Sequence, residues 1–183
     1  EYTRPARVVR DGEEVTLPAL SERHTVDVPE RGEMEAFLTD GLRSVLNSIP
    51  AMDMSEYTVR WPGHIQRFID ERKTNNLNEK NLMQMWKFDK NRREFTWMEI
   101  KVECKNGEEM RWTVYDEGLH GDSSMARTTG LVTFSCIKQW LIDESLINRG
   151  VYPPENLSNQ VIFNVLQDLR DEGVTIEGPD INL

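Results

Sequence analysis

Five polar side chains at the ends of predicted secondary-structure elements could together bind a small zwitterion. Asp40 follows a predicted strand, Arg60 and His64 lie at the end of another, and Arg127 and Thr128 lie in the first turn of a long predicted helix. Binding sites usually form at such element ends. In one cleft, Arg60 and Arg127 would bind a carboxylate, while Asp40 would bind an ammonium group. His64 titrates near neutral pH, which makes it the candidate catalytic acid or base.

Each of these side chains also has an ordinary structural role open to it. Asp40 could cap a short helix over residues 42–49, which Pro50 would end. Arg60 could be a surface residue, and His64 could be a polar residue in the first turn of a helix. Residue types alone leave both sets of roles open.

The helix that carries Arg127 is predicted to begin at three successive capping residues, Asp122 to Ser124, and to run to residue 141. Its apolar face, predicted from i, i+3 and i+4 spacing, comprises Met125, Thr129, Val132, Cys136 and Trp140. Arg127 places a positive charge where the helix dipole favours acids. The cation and the free N–H groups predict an anion site. The alternative is an ion pair between Arg127 and Asp116 or Asp122.

Two hairpins are predicted from alternating apolar residues. Residues 6–17 pair around Asp11-Gly12, a dipeptide typical of a type I′ loop, which places Val8 opposite Val15. Residues 98–115 pair around the three-residue loop Lys105–Gly107, which places Val102 opposite Met110 and puts one apolar face on a core.

The remaining pattern predicts an α+β fold. Short strands are expected at 25–28, 33–38 and 57–61, with helices from His64, around residues 82–86 and from Glu155 to Gly173. Because strands come in hairpins and helices collect between and after them, we expect two layers. They would be a mixed or mainly antiparallel sheet and helices packed on one of its faces.

Composition excludes several classes of function. The formal net charge is −10, so nucleic acid and anionic membranes are poor partners. Two single cysteines favour a reducing compartment, and we expect a cytoplasmic protein. Three histidines far apart in the sequence predict no metal site. No apolar run approaches the roughly 20 residues of a membrane span. No glycine-rich phosphate-binding loop is present.

Four segments in order resemble the saccharopine dehydrogenase and lysine 6-dehydrogenase family, in the region that follows its dinucleotide-binding domain. These segments are Leu17–Glu22, Glu35–Leu42, Val59–His64 and Ser124–Gly130, and Tyr2–Ala6 is also similar. The resemblance implies an enzyme that binds NAD or NADP on a Rossmann domain. A second domain then holds an amino-acid substrate and forms a homodimer.

By this resemblance, residues 1–183 are the substrate-binding and dimerisation domain, incomplete and inactive without the Rossmann domain. Gly130 is then expected to pack closely against the sheet or that missing domain. Saccharopine-processing members resemble Pro-Asn-Arg-Asp-Ser where this chain has Leu38–Leu42. Asp40 in place of an arginine favours a lysine-like or polyamine substrate. The alternative is a non-catalytic dimerisation or interaction module of the same fold.

Overall fold

The computed structural model describes residues 1–74, 78–87, 89, 91, 94–119 and 121–179. His120, the third histidine, lies outside them. The chain divides into two compact units, Glu1–Lys87 and Phe88–Leu183. Three small sheets, all of them antiparallel in the part described, combine with helices in an α+β fold. The predicted fold class is therefore confirmed. In this part of the chain, no helix has the length and hydropathy needed to cross a membrane.

In its described residues, the first unit contains two sheets and three helices. The strands are β1 (Ala6–Arg10), β2 (Glu13–Leu17), β3 (His24–Val28), β4 (Gly32–Leu38) and β5 (Tyr57–Arg60), and the helices are α1 (Val45–Ser48), α2 (His64–Lys73) and α3 (Glu79–Met85). Strands β1 and β2 form one sheet, and β3, β4 and β5 form the other in that order.

The hairpin of β1 and β2 has the predicted register. Val8 lies opposite Val15, and Ala6 lies opposite Leu17. Asp11 and Gly12 both have positive φ, which a type I′ turn requires. Local turn chemistry and strand alternation agree, so the register is well determined.

Strand β4 supplies the centre of the first unit. Phe37 packs with Tyr2, Ile65 and Phe68 in one buried cluster. Leu38, whose side chain lies on the opposite face of the strand, packs in a second cluster with the hairpin residues Ala6 and Val8. Because β4 is covered on both sides, its neighbours β5 and α2 are held in place, and they carry Arg60 and His64.

Asp40 does not cap helix α1, which was the structural role considered for it. Helix α1 begins at Val45, and its N-cap residue, Ser44, makes no side-chain capping bond. The Asp40 carboxylate instead accepts hydrogen bonds from Arg7. A guanidinium offers two parallel donors, which a single helix N–H cannot match.

The second unit contains one sheet and two longer helices. Its elements are β6 (Thr96–Glu103), β7 (Glu109–Asp116), α4 (Ser124–Ile142), α5 (Asn159–Asp171) and β8 (Thr175–Glu177). Strand β7 is central, between β6 and β8. Val102 lies opposite Met110, as predicted, and Gly107 has a φ of +82° in the loop.

The apolar face of the β6–β7 hairpin is only partly covered. Val114 and Ile176 pack with the buried side chains of α5. Met98, Ile100 and Val102 on the same face are exposed. The prediction that this face lies on a core therefore holds only next to β8 and is wrong for most of β6, because the helices do not extend over it within the part of the chain described.

Helix α4 buries a polar face, contrary to prediction. Met125 is 72% exposed and Trp140 is 40% exposed, whereas Ser135 and Gln139 are buried. Ser135 Oγ donates to the Asp168 carboxylate of α5 at 2.5 Å, and Gln139 Nε2 donates to the Val161 carbonyl at 3.2 Å. Hydrogen bonds to α5 select the buried face here. Of the predicted apolar face only Cys136 is partly buried, against the apolar cluster of α5, so the prediction is wrong for its other four residues.

Gly130, on the exposed part of α4, has an open surface. No described heavy atom, apart from its own neighbours and helix backbone, lies within 4 Å of the position its Cβ would take. Close packing of Gly130 against the sheet is therefore a wrong prediction. Its packing against another domain stays a prediction.

Candidate functional site

The structure places Arg60 and His64 side by side and the other predicted site residues on other elements of the fold. Arg60 and His64 lie in the first unit, at the junction of β5 and α2. Asp40 belongs to the same unit, but Arg60 pairs with Glu35 in the β4–β5 ladder. Asp40 follows five residues later, a distance of about 15 Å along an extended chain. Arg127 and Thr128 lie in the second unit.

The turn between β5 and α2 positions the His64 ring. Gly63 has a φ of +82°, and the His64 N–H donates to the Trp61 carbonyl at 3.1 Å. Pro62 precedes Gly63, so the turn has the Pro-Gly chemistry that favours positive φ at its third residue. His64 therefore enters α2 in its first turn, as the sequence predicts.

Tyr2 is the direct partner of His64. The Tyr2 hydroxyl oxygen lies 2.6 Å from His64 Nδ1. Trp86 stacks on the His64 ring, with centroids 5.2 Å apart. Phe68 and Phe37 hold the Tyr2 ring at centroid distances of 4.7 and 4.9 Å. The imidazole is thus held by a hydrogen bond and by aromatic packing.

Arg60 places a positive charge beside this pair. Its Nη2 donates to the Glu1 carboxylate at 2.7 Å, and its Nη1 donates to the Val59 carbonyl at 2.9 Å. The positive charge of Arg60 also acts to lower the pKa of the Tyr2 hydroxyl. One cation therefore binds an acidic side chain and lies close enough to influence the phenol that binds His64.

Burial and charge keep Tyr2 and His64 neutral. Burial lowers the pKa of His64, and the nearby cations Arg60 and Arg67 lower it further against a weaker opposing effect of Glu35. Burial raises the pKa of Tyr2, more than Arg60 lowers it. At neutral pH the pair is a phenol and an uncharged imidazole.

Asp40 is engaged by Arg7 rather than open to a ligand. Asp40 Oδ1 accepts from Arg7 Nε at 2.9 Å, and Oδ2 accepts from Arg7 Nη2 at 3.1 Å. These hydrogen bonds hold the pKa of Asp40 below its usual value. A substrate ammonium would have to compete with a bidentate partner, so the carboxylate is a weaker amine site than its sequence position indicates.

Arg127 forms the ion pair considered as its alternative role. Its Nη2 lies 3.2 Å from Asp116 Oδ1 and donates to the Glu172 carbonyl at 2.8 Å. The two side chains are only 11% and 4% exposed. Thr128 Oγ1 donates to the Ser124 carbonyl of its own helix at 2.9 Å. The contacts of Arg127 Nη2 tie the start of α4 to β7 and to the end of α5, whereas Arg127 Nε is buried without a hydrogen-bond partner among the described residues.

A pocket of ≈ 300 Å³ adjoins this ion pair in the second unit. Its lining includes Asp116, Glu117, Arg127 and Thr175. Burial raises the pKa of Asp116, but hydrogen bonds from Arg127 and from the Gly118 N–H contribute to lowering it overall. Asp116 therefore stays ionised and partly cancels the Arg127 charge that a carboxylate ligand would need.

Tyr2 is the site residue that residue-type reasoning missed. It lies 62 positions from His64, so no local spacing links the two. The one available signal was its place in the segment Tyr2–Ala6, which joins the other four segments in the family resemblance. Among the described residues, no cluster of three or more His, Cys, Asp or Glu side chains could hold a metal ion.

A dinucleotide would need a glycine-rich turn between a strand and a helix to hold its pyrophosphate. The described parts of both units contain no such turn. No residue of this chain is therefore assigned to NAD or NADP.

Comparison with protein families agrees with the resemblance carried by the sequence segments. The family described as saccharopine dehydrogenase C-terminal domain matches residues 1–174 of the 183-residue chain. The match includes both compact units almost entirely, and with them the Tyr2–His64 pair and the Arg127–Asp116 pair. The chain belongs to the saccharopine dehydrogenase family, as its C-terminal domain.

Proposed function

We propose that this chain is the substrate-binding part of an NAD(P)-dependent oxidoreductase that acts on the C–N bond of lysine, saccharopine or a related amino acid. The observation that carries the proposal is His64, a half-buried neutral imidazole held 2.6 Å from Tyr2 beside the Arg60 cation. Family membership supports oxidoreductase chemistry. NAD or NADP, which would accept or donate the hydride, would be bound by a dinucleotide-binding domain outside these residues.

Arg60 is the proposed carboxylate-binding group. Its ion pair with Glu1 is partly exposed, with side chains 34% and 55% accessible. Exposed ion pairs contribute little stability, so a substrate carboxylate can replace Glu1 at small cost. His64 lies on the adjoining turn, where it can exchange a hydrogen bond with the nitrogen or oxygen of the bound substrate. Together the two supply charge recognition and one uncharged proton-carrying group.

The proposed substrate class depends on which charged side chains of the candidate site are free to bind a ligand. Asp40 already accepts three hydrogen bonds from Arg7, two from its guanidinium and one from its backbone N–H. The preference for a lysine-like or polyamine substrate depended on Asp40 binding an amine, and the Arg7 partner weakens the support for both. Arg60 supports an amino acid with a carboxylate. Ligand roles for Asp40, Arg127 and Thr128 remain predictions.

The test is kinetic and uses the full-length protein. Lysine, saccharopine and a carboxypolyamine are compared as substrates by following absorbance of the reduced nicotinamide. We expect His64→Asn to lower kcat about 100-fold or more, as for loss of an acid–base group. Arg60→Met should mainly raise KM. The matched control is His24→Asn, which changes an exposed histidine of the same unit. Equal activity of the His64 and His24 variants would refute the proposal.

A second candidate function is supported by the exposed apolar surfaces of the second unit. Met98, Ile100 and Val102 on β6 and the outer face of α4 present large apolar side chains to solvent. Contiguous apolar patches on a protein surface usually mark interaction sites. A non-catalytic dimerisation or interaction module of the same fold would use this surface.

The oligomeric state and the activity separate the two candidates. Ile100→Lys should dissociate a dimer that forms through the apolar face of β6, as measured by sedimentation. Glu103→Lys, on the opposite face of the same strand, is the control and should leave it intact. A module predicts dimers without turnover on any of the three substrates. Turnover that is lost in His64→Asn supports the enzyme.

A further inference from the structure

The hydrogen-bond donors and acceptors around Tyr2 determine where His64 carries its proton. Tyr2 is buried, at 8% exposure, so its hydroxyl hydrogen needs an acceptor within the protein. Among the described residues, His64 Nδ1 is the hydrogen-bond partner found for this hydroxyl, and the nearby Arg60 has only donors. Nδ1 of His64, at 2.6 Å, is therefore the acceptor.

The opposite arrangement leaves a proton without a partner. If Nδ1 carried the hydrogen and donated to the Tyr2 oxygen, the phenol hydrogen would have to point away from His64. The phenol hydrogen would then have no acceptor among the described side chains that contact it. An unsatisfied buried donor is unfavourable, so this tautomer should be the minor form.

We propose that Tyr2 is a positioning residue that holds His64 as the neutral Nε2–H tautomer, so that His64 presents a hydrogen-bond donor to the substrate through Nε2. That this donor meets a substrate rests on the function proposed above, but the tautomer itself does not. A neutral Nε2–H group donates a hydrogen bond to a carbonyl or carboxylate oxygen. It can transfer its proton as an acid only if Nδ1 takes up the Tyr2 hydroxyl proton in the same step, which leaves Tyr2 as a phenolate. It cannot accept a proton at Nε2, which excludes His64 as a direct base through that atom.

Charges around the ring favour the same state. Arg60 and Arg67 face His64 with positive charge, and Glu35 faces it with negative charge. Glu1 partly neutralises Arg60. The two cations and burial disfavour imidazolium, because a further positive charge there would be repelled and poorly solvated. Trp86 stacks on the His64 ring. Its π face offers no acceptor that would compete for a hydrogen on either nitrogen of His64.

The experiment is long-range proton–nitrogen NMR of the histidine rings as a function of pH. In the unsubstituted protein, Nδ1 should show the signal of an unprotonated nitrogen and Nε2 that of an N–H nitrogen. In Tyr2→Phe, which keeps the aromatic ring, His64 should become a mixture of tautomers and its pKa should rise. The reason is that protonation at Nδ1 no longer breaks a hydrogen bond. Tyr57→Phe, which removes another hydroxyl of this unit bound to Glu22, should leave His64 unchanged.

Two results would overturn the proposal. One is a proton on Nδ1 in the unsubstituted protein, and the other is a His64 spectrum and pKa unaffected by Tyr2→Phe. The NMR experiment tests the tautomer and the kinetic experiment tests the catalytic role, so either claim can be refuted without the other. If the tautomer is as stated but His64→Asn stays fully active, the assignment of Tyr2 stands and the proposed catalytic role of His64 is wrong.

Discussion

Replacing Arg127 with Met would leave the Asp116 carboxylate buried without its cation. The change keeps a long side chain in place but removes the contact between Arg127 Nη2 and Asp116 Oδ1 at 3.2 Å. It also removes the donor to the Glu172 carbonyl. What remains is the bond from the Gly118 N–H to Asp116 Oδ2 at 3.0 Å.

The expected loss in free energy of unfolding is about 3 kcal/mol at neutral pH. Removing one member of a buried ion pair typically costs about 3–5 kcal/mol, because an uncompensated charge stays behind. The lower end applies because the Gly118 N–H still binds the carboxylate. Asp116→Asn combined with Arg127→Met should recover more than half of the loss, since neither buried charge then remains.

The pH dependence has a definite sign. The pKa of Asp116 is lowered in the folded protein, so its contribution to stability is present above about pH 4, the unfolded value. It is lost as the pH falls through the lower folded pKa. Protonated Asp116 no longer needs a cation. The destabilisation by Arg127→Met should therefore shrink as the pH is lowered.

Hydrogen exchange of the α4 backbone amides is the appropriate assay, because it reports the free energy of opening the second unit separately from the first. A loss below about 1 kcal/mol, equal in the single and double variants, would contradict a stabilising ion pair. Arg127 would then not be a structural partner of Asp116, and its predicted role as a ligand for a substrate carboxylate would gain support.

Further predictions concern three glycine positions and His64. Gly118→Ala should cost about 2–5 kcal/mol in urea unfolding, because φ is +76° and the new Cβ would lie 2.6 Å from the Asp122 carbonyl oxygen. Gly107→Ala, with similar φ but open space, should cost only about 1–2 kcal/mol. Gly130→Ala should stabilise α4 by about 0.5–1 kcal/mol in hydrogen exchange, and a loss would mean that another protein surface covers this position. Since the pKa of His64 is lowered, unfolding free energy should fall as the pH drops below about 6.5, and His64→Asn should abolish that fall.

Hairpin registers are the part of this fold that could be predicted from sequence. Asp11-Gly12 selects a type I′ turn, and the alternation on either side allows one register that keeps the apolar residues together. Gly107 fixes the register of the second hairpin, because it adopts the left-handed conformation that the three-residue loop requires. Turn type and alternation are local, so they need no knowledge of the rest of the chain. The order of β7 between β6 and β8 required the structure, because Thr175 is 60 positions from Tyr115 in the sequence and yet pairs with it.

The buried face of α4 could not be predicted from apolar spacing. Helical periodicity identifies the apolar side of a helix, and that side usually faces the core. Here α5 offers Asp168, Asn164 and a carbonyl oxygen, so the polar side of α4 makes the contact. Of the predicted apolar side, Cys136 packs against the α5 cluster and the other four residues are exposed.

The candidate site shows the same division between local and tertiary information. By itself, the sequence determined the hairpins, the strand-to-helix turn that places His64, and the family. Tertiary structure alone decided which side chain each polar group meets: Tyr2 for His64, Arg7 for Asp40, and Asp116 for Arg127. The physical reason is that backbone turns depend on neighbouring residues, whereas charges and buried hydroxyls are satisfied by groups that only chain packing brings near.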